Sequence, residues 1–289
     1  MTDQPTPDLT GRTVIVTGAS SGIGAAAARR FAELGATVAV IGRSFEKTAA
    51  VAREIGANQH LVDYGRLKEV RHLADELLAT YPRIDVLANN AGGIFASSKQ
   101  TTDGHEMTFQ VNYLAPFLLT NLLLERLAQN PDGARVINTA SMDYRKGRLD
   151  LDDLDSARGK YRWRAVYSTS KLATVVFTRE LARRSQDAGI TAAAFHPGVV
   201  ASDVGRDSAV NRALMGSWIG KALLATPEKG AEPLVHLATT PDLAEINGAY
   251  FHRLEREAPK NEQATDPDLA RRLWEHSALL TGLATATRS

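Results

Sequence analysis

A tyrosine and a lysine four residues apart are the side chains whose spacing first suggests chemistry. Tyr167 and Lys171 lie in the segment YSTSK near the start of a predicted helix, so they project from one helical face. A phenol with a pKa near ~10 becomes an effective acid–base group near neutral pH only when a nearby cation lowers that pKa. Such a pair alone is more often a surface pair of an amphipathic helix, but a glycine-rich segment upstream favours the catalytic interpretation.

That segment follows the first predicted strand, the β-branched run 13–17. Gly18, Gly22 and Gly24, in TGASSGIG, separate this strand from an alanine-rich helix predicted over 23–34. Without β-carbons, these residues let backbone N–H groups and the helix N-terminus approach a pyrophosphate. A tight strand–helix turn also favours glycine, but the strand–loop–helix context indicates a dinucleotide site.

The second predicted strand, 37–41, is followed by Gly42 and Arg43, where a carboxylate usually binds the ribose 2′-hydroxyl of NAD. No carboxylate is present there. Gly42 leaves room, and the Arg43 guanidinium can bind a 2′-phosphate through two hydrogen bonds. The pair therefore favours NADP(H) over NAD(H), although a solvated arginine at the start of a helix is a serious alternative.

These residues need a sheet to position them, and predicted strands alternate with predicted helices along the chain. The strands are 13–17, 37–41, 59–62, 84–88, 135–139, 191–195 and 248–251; the helices are 23–34, 44–55, 65–80, one after Asp103, 165–186 and one opened by Pro227. The strands are almost continuously apolar, as expected when helices cover both faces of a parallel sheet. We predict an α/β fold with a single doubly wound (Rossmann) parallel sheet, forming one domain over 1–289 with a frayed leader at 1–10.

Two longer irregular segments, 141–164 and 201–226, follow strand ends, where open α/β sheets bind ligands. Aromatic residues in the first, Tyr144, Tyr161 and Trp163, suggest an apolar pocket beneath a substrate lid formed by 201–226. The alternative is that these aromatic side chains simply pack the loop down.

Composition excludes several classes of protein. The 289 residues contain no cysteine, and Lys+Arg 34 against Asp+Glu 33 leave a formal charge of +1. Disulfides and thiolate chemistry are excluded, and no global field attracts nucleic acid. The seven histidines are scattered, so no metal site is predicted. Because the N-terminus does not resemble a signal peptide and no apolar run could span a membrane, we expect a soluble cytoplasmic protein.

Several motifs occur together and in order: TGASSGIG at 17–24, NNAG at 89–92, Asn112, Ser141, YSTSK at 167–171 and PG at 197–198. With them the chain resembles the short-chain dehydrogenase/reductase family over nearly its whole length. FQVNYLAPFLLTNLLLERL and FHPGVVASDV further resemble its retinol-dehydrogenase-like branch. The resemblance implies that Tyr167 is the acid–base residue and that Ser141 hydrogen-bonds the reacting oxygen. It implies that Lys171 binds the nicotinamide ribose and, with a cationic nicotinamide, lowers the Tyr167 pKa, and that Asn112 ends a water-linked proton path.

The resemblance also implies cofactor contacts. Asp63 matches an adenine contact and Asn89 a residue that braces sheet and cofactor. Val199 and Ser202, where the family often has Thr, match the segment that holds the nicotinamide amide and phosphate. The full expected set is Gly18, Ser20, Ser21, Gly22, Ile23, Gly24, Arg43, Asp63, Asn89, Ala91, Gly92, Tyr167, Lys171, Pro197, Gly198, Val199 and Ser202.

One feature of the sequence supports the role of Asn112. Pro116 lies four residues later in a predicted helix and has no N–H, so the Asn112 carbonyl loses its usual helical partner. An ordered water bound there could relay protons toward Lys171. The alternative is an ordinary kinked core helix with a satisfied asparagine.

Together these features predict an NADP(H)-dependent oxidoreductase that moves a hydride between nicotinamide and a carbonyl or alcohol carbon of a small apolar molecule. The alternative is a noncatalytic NADP(H)-binding sensor or scaffold. The complete set of Asn112, Ser141, Tyr167 and Lys171 favours the enzyme. The resemblance also implies a homodimer or homotetramer, formed through the helices around Asn112 and Tyr167.

Overall fold

One eight-stranded sheet forms the centre of the computed structural model, which describes residues 7–158, 160–198 and 225–283. The strands are β1 (Thr13–Thr17), β2 (Thr37–Gly42), β3 (Asn58–Leu61), β4 (Val86–Asn89), β5 (Ala134–Thr139), β6 (Ile190–His196), β7 (Tyr250–His252) and β8 (Glu255–Glu257). Their order is β3-β2-β1-β4-β5-β6-β7-β8. Neighbours from β3 to β7 run parallel, whereas β8 pairs antiparallel with β7. The predicted doubly wound sheet is confirmed, with an antiparallel last strand that the sequence analysis does not predict.

Helices cover both faces of the sheet. They are α1 (Gly22–Glu33), α2 (Phe45–Glu54), α3 (Leu67–Thr80), α4 (Met107–Phe109), α5 (Ala115–Ala128), α6 (Trp163–Arg184), α7 (Pro227–Thr239), α8 (Leu243–Ile246) and α9 (Pro267–Leu280). One apolar layer, which includes Phe31 and Leu234, packs α1 and α7 against one face. The other, which includes Leu73, Phe117 and Leu172, packs α3, α5 and α6 against the opposite face. The sequence predicts α1, α2, α3 and α6 to within a few residues and the start of α7. It predicts a helix after Asp103 without bounds, where the structure has α4 and α5, and it does not predict α8 and α9.

The helical region between β4 and β5 changes its winding just before Pro116. Gln110–Leu114 form a π-helical turn between α4 and α5, and the Ala115 N–H donates to the Gln110 carbonyl five residues earlier. Pro116 then lies in the first turn of α5, directly after this π-turn, and it has no N–H to donate to a carbonyl of the preceding turn. The predicted disturbance around Asn112 therefore takes the form of a π-turn, a feature that often accompanies functional sites.

The helix α9 packs across α5 and α6. The Trp274 ring lies edge-on to Phe117 with centroids 5.1 Å apart, and it lies 5.6 Å from the Phe177 ring. The hydroxyls of Ser277 and Tyr113 hydrogen-bond over 2.7 Å. The chain's own helix thus covers part of both helices that the family resemblance assigns to subunit contacts.

The strand order reverses between β1 and β4, because the chain continues from β1 to β2 on one side and from β4 to β5 on the other. In open α/β sheets, ligands bind outside the carboxyl ends of the strands at such a reversal. The segments after Thr17 and Asn89 both leave the sheet at this edge.

No helix within 7–158, 160–198 and 225–283 is long and apolar enough to cross a bilayer.

Candidate active site

The loop after β1 has the conformation that its glycines allow. Gly18 and Gly22 have φ of 67° and 57°, in the left-handed region that favours glycine. A β-carbon on Gly24 would lie 2.3 Å from the Gly18 carbonyl oxygen, so only glycine lets α1 approach the loop this closely. Ser21 is the N-cap of α1 but makes no side-chain cap hydrogen bond, and the first turn has no acidic residue. The start of α1 therefore offers backbone N–H groups and a hydroxyl to an anion.

Thr17 and Asn90 join this loop to the segment after β4. The Thr17 hydroxyl accepts hydrogen bonds from the backbone N–H groups of Asn90 and Ala91, both over 3.0 Å. The Asn90 side chain donates to the Thr17 carbonyl over 3.0 Å. These bonds hold Ala91 so close to Gly18 that a β-carbon on Gly18 would lie 2.8 Å from the Ala91 Cα. Thr17 and Asn90 are not among the predicted site residues, although they lie within the TGASSGIG and NNAG motifs.

Asn89 braces the sheet from within. Its Nδ2 donates to Thr120 Oγ1 over 2.9 Å and to Asn138 Oδ1 over 3.0 Å, which links β4 to α5 and β5. Its Oδ1 is buried and has no partner among the described residues. The bracing of the sheet is thus present, while the contact of Asn89 with a cofactor stays a prediction.

The end of β2 is closely packed. A β-carbon on Gly42 would lie 2.3 Å from Thr48 Oγ1 and 2.9 Å from the β-carbon of Ser20. The room expected at Gly42 is therefore filled by protein, and the same packing excludes a carboxylate at this position. Arg43 follows on the surface, exposed and without an ion pair in the part of the chain that the structure describes.

Asp63 and Ile23 are two further residues predicted to contact the cofactor. Asp63, half-buried after β3, accepts a hydrogen bond from the Gly65 N–H through Oδ1 over 2.9 Å. Ile23 is half-buried in the first turn of α1 and packs against the apolar layer beneath that helix. The contacts of both residues with a cofactor stay predictions.

The predicted catalytic lysine and asparagine meet beside Gly92. Lys171, buried on α6, donates from Nζ to the Thr139 carbonyl at the end of β5 over 2.8 Å. A β-carbon on Gly92 would lie 2.9 Å from Asn112 Oδ1 and 3.6 Å from Lys171 Nζ. The same Nζ lies 5.8 Å from the centre of the Tyr167 ring. The structure therefore brings these three predicted side chains into one site.

Burial dominates the acid–base properties of this site. Desolvation raises the pKa of Tyr167, its hydrogen bond with Ser141 lowers it, the nearby Asp143 carboxylate raises it, and the net change is upward. From the sequence we expect a lower Tyr167 pKa, produced by Lys171 and a cationic nicotinamide. The protein's own groups act in the opposite direction, because a buried phenolate loses more hydration than one Ser141 hydrogen bond returns. Burial also lowers the pKa of Lys171 to about 8.

Asn112 holds the backbone that follows NNAG. Its Oδ1 accepts from the Gly93 N–H over 2.8 Å, and its Nδ2 donates to the Gly93 carbonyl over 2.9 Å and to Ser170 Oγ over 3.2 Å. The carboxamide is therefore satisfied, as in the alternative interpretation of this helix. A proton relay at the backbone carbonyl of Asn112 stays a prediction.

Pro197 and Gly198 directly follow β6, at the edge of the sheet where Ser141 follows β5. Gly198 has a φ of 89°, which a residue with a β-carbon rarely adopts. Val199, Ser202 and most of the predicted lid at 201–226 lie outside the described residues.

Tyr144 and Tyr161 pack the segment after β5. Tyr144 is fully buried, with its ring 4.6 Å from that of Tyr250. The Tyr161 hydroxyl donates to Glu106 over 3.0 Å and lies 3.2 Å from the Phe95 carbonyl. The expectation that Tyr144 lines an apolar pocket is therefore wrong, and the packing alternative applies to it.

In 7–158, 160–198 and 225–283, no group of three or more His, Asp or Glu side chains is arranged to hold a metal ion.

Comparisons with known proteins find relatives over most of the chain. The family model described as short chain dehydrogenase matches residues 12–212. The chain is 40% identical over 289 residues to retinol dehydrogenase 13 of Homo sapiens, which covers 95% of this chain and 86% of the relative. It is 40% identical over 284 residues to a Streptomyces sp. (strain C5) protein named "Putative daunorubicin C-13 ketoreductase", which covers 96% of this chain and 95% of the relative. A short chain dehydrogenase from Burkholderia cenocepacia, solved in complex with NADP, matches with a TM-score of 0.66 and 28% identity, covering 84% of this chain and 96% of that chain.

The matched family segment contains the glycine loop and all four predicted catalytic side chains. The two named relatives span nearly the whole chain at an identity well above that at which only a fold is shared. The chain belongs to the short-chain dehydrogenase/reductase family, in its retinol-dehydrogenase-like branch, and is an oxidoreductase of alcohol and carbonyl groups.

Proposed function

We propose that this chain is an NADP(H)-dependent enzyme that interconverts a carbonyl and an alcohol on a small, largely apolar molecule. The observation that carries this proposal is the meeting of Lys171, Asn112 and Tyr167 at the carboxyl ends of β4 and β5, where Ser141 is close enough to the Tyr167 phenol to lower its pKa. A binding module would need the glycine loop but not a buried phenol, hydroxyl and ammonium together.

The residues of the site fit a nicotinamide cofactor. The start of α1 offers an uncapped N-terminus to a pyrophosphate, and Gly18 and Gly24 let the loop pack closely enough against its neighbours to hold that N-terminus in place. When bound, the nicotinamide supplies or accepts the hydride. The protein's part is to bind the cofactor, to orient the substrate carbonyl and to move the proton.

Tyr167 is the group that moves this proton. Because its pKa is raised, the phenol is protonated at neutral pH and can donate to a carbonyl oxygen during reduction. In the oxidative direction the same phenol must first lose its proton, and the Lys171 ammonium beside its ring stabilises the resulting phenolate. Ser141 supplies a second hydrogen bond to the reacting oxygen. Asn112 fixes the backbone of Gly93 through two hydrogen bonds.

The choice of NADP(H) rests on the end of β2. Packing against Thr48 and Ser20 excludes a carboxylate at Gly42, which removes the usual partner of a free 2′-hydroxyl. Arg43 has an accessible guanidinium that can bind a 2′-phosphate with two hydrogen bonds. The Burkholderia relative was solved with NADP, which supports the same choice.

The apolar character of the substrate rests on side chains around the site. Met142, directly after Ser141, is 38% exposed, and Leu254, between β7 and β8, is 49% exposed. One relative is named for an alcohol, retinol, and the other for a ketone, at the same identity to this chain. We therefore propose a substrate with an apolar body and a reducible carbonyl.

The test is a screen of NADPH oxidation with aldehydes and ketones graded by size and polarity, followed by Tyr167→Phe with the best substrate. We expect kcat to fall by roughly 10²- to 10⁴-fold while the Kd for NADPH stays unchanged, because the phenol acts in the transition state. Tyr81→Phe, which removes a hydroxyl beside His60 at the far end of the sheet, is the matched control. If Tyr167→Phe keeps more than about a tenth of wild-type kcat, the mechanism fails and the NADP(H)-binding sensor becomes the better interpretation.

A further inference from the structure

The two-residue turn between β7 and β8 has an unusual backbone. His252 pairs with Glu255, which leaves Arg253 and Leu254 to make the turn. Arg253 has a φ of 57°, and only one other non-glycine residue in the described ranges, Ser156, has a positive φ. Left-handed backbone at a residue with a β-carbon costs about 1–2 kcal/mol, and such costs concentrate at functional positions.

The turn places Arg253 at the carboxyl end of β6. The Arg253 N–H donates to the His196 carbonyl over 2.9 Å. Its guanidinium lies over Gly198, where a β-carbon would be 3.0 Å from Nε and 3.4 Å from Nη2. Gly198, the glycine of the PG motif, therefore leaves room for a side chain from the β7–β8 turn and also has a positive φ.

Arg253 has no carboxylate partner within the described ranges, and the residue is exposed. This distinguishes it from Arg145 nearby, whose guanidinium donates to both oxygens of Glu257 over 2.9 and 2.8 Å. An exposed arginine on a strained turn is thus available for an anion, whereas its neighbour is neutralised.

Two imidazoles lie near Arg253, that of buried His196 and that of half-buried His252. The rings of His196 and His252 are 5.1 Å apart, and the Nδ1 atom of each is buried without a hydrogen-bond partner in the described ranges. His196 is only 6% exposed. Burial, followed by the charges of His252, Arg253, Arg145 and Lys171, lowers its pKa to about 4, so the ring is neutral at pH 7. Unpaired buried polar atoms call for a further partner, and cationic surroundings favour one that accepts hydrogen bonds.

We propose that Arg253, backed by His196 and His252, binds an oxyanion of a ligand at the carboxyl ends of β6 and β7. This inference rests on the proposed function, because the ligand would be a substrate bearing a carboxylate away from its carbonyl, or the phosphate of the cofactor. Asp143 lies on the Tyr167 side of the site, so the charge pattern places an anionic group away from the reacting carbon and near Arg253.

The experiment compares para-carboxybenzaldehyde with its methyl ester as substrates for the wild type, Arg253→Asn and Arg253→Lys. Asparagine tolerates positive φ and removes the charge, whereas lysine keeps the charge without the planar fork. Arg256→Gln, on the neighbouring strand, changes the net charge equally and is the matched control. Losing a hydrogen bond to a charged group costs enough to lower the carboxylate-over-ester ratio of kcat/KM about tenfold or more in Arg253→Asn. The Kd for NADPH is measured for every variant.

A lowered ratio with an unchanged Kd assigns the site to the substrate, and a weaker Kd with an unchanged ratio assigns it to the cofactor phosphate. If neither quantity changes relative to Arg256→Gln, the proposal is overturned. A second arm does not depend on turnover: benzoate is titrated into the protein while the imidazole resonances of His196 and His252 are followed by NMR. A response in the wild type that disappears in Arg253→Asn supports the site even if no aldehyde is reduced, in which case the proposed function alone fails. Absence of any response in the wild type, together with an unchanged Kd, contradicts the site.

Discussion

Cofactor discrimination at Arg43 can be predicted quantitatively from the end of β2. The perturbation is Arg43→Ala, which removes an exposed guanidinium and leaves the capped start of α2 in place, because Ser44 accepts from the Lys47 N–H with its own side chain. A hydrogen bond to a charged group contributes about 1.5–3 kcal/mol, whereas exposed ion pairs often contribute less than ~1 kcal/mol. For two bonds at an exposed position we expect about 1.5–3 kcal/mol in total.

That free energy corresponds to a Kd for NADPH weakened by roughly 10- to 150-fold, with the Kd for NADH nearly unchanged. The assay is the fluorescence of the reduced nicotinamide on titration of both cofactors at low and at physiological salt, since part of the attraction is screened. Arg53→Ala removes an exposed charge from the other end of α2 and serves as the control. If the ratio of the two Kd values changes less than about threefold in Arg43→Ala, the assignment of Arg43 to the 2′-phosphate is refuted.

The packing of Gly42 sharpens this prediction. Gly42→Asp should not create an NAD-preferring protein, because its β-carbon would lie 2.3 Å from Thr48 Oγ1. Arg43→Asp, which places a carboxylate at an open position, should shift the preference toward NADH instead. If Gly42→Asp shifted the preference toward NADH more than Arg43→Asp did, Gly42 would not be closely packed against Thr48.

Three further predictions concern the loop, the lysine and α9. Gly24→Ala should abolish the stabilisation of the protein by NADPH in thermal unfolding, since its β-carbon would lie 2.3 Å from the Gly18 carbonyl; a normal NADPH-induced rise in Tm would contradict the loop assignment. Lys171 has a pKa of about 8 in the fold against 10.5 as the ordinary value, so the unfolded chain binds more protons between these pH values and stability should rise with pH there. Relative to Lys171→Met, this rise should be on the order of 3 kcal/mol in urea titrations, and parallel curves for the two proteins would exclude it. Trp274→Ala should destabilise the fold by about 2–3 kcal/mol, because it removes ring contacts with Phe117 and Phe177; a Tm within about 1 °C of wild type would show that α9 is only loosely attached.

The sequence predicts those strands and helices that residue propensity and hydrophobic periodicity determine. The β-branched runs of β1 and β2 and the alanine-rich α1 are recognisable because propensity and periodicity agree with the fold. β8 is not, since Glu255–Glu257 is a charged triplet that becomes a strand only by pairing with β7. The missed α9 does have a signal: Asp266 accepts hydrogen bonds from two N–H groups of the first turn, and Pro267 stands at its start.

The candidate site likewise has features that nearby residues predict and features that depend on the whole fold. The spacing of Tyr167 and Lys171 is local, and the order of the motifs indicates Ser141 and Asn112. The direction of the Tyr167 pKa shift is not local, because it depends on how completely the rest of the fold buries the phenol. Nor can a sequence show that Arg253 covers Gly198, since the two residues meet only through the pairing of β6 with β7.

The last strand also determines how the sheet can meet other molecules. An open strand edge offers unpaired N–H and C=O groups that recruit strands from other chains, and natural proteins block such edges with short, charged strands. β8 has both properties, with the sequence Glu-Arg-Glu, and one of its carboxylates is fixed by Arg145. At the opposite side the sheet ends in the four-residue β3, of sequence Asn-Gln-His-Leu. Growth of the sheet from one copy into another is therefore disfavoured at β8 by both length and charge, and at β3 by length alone.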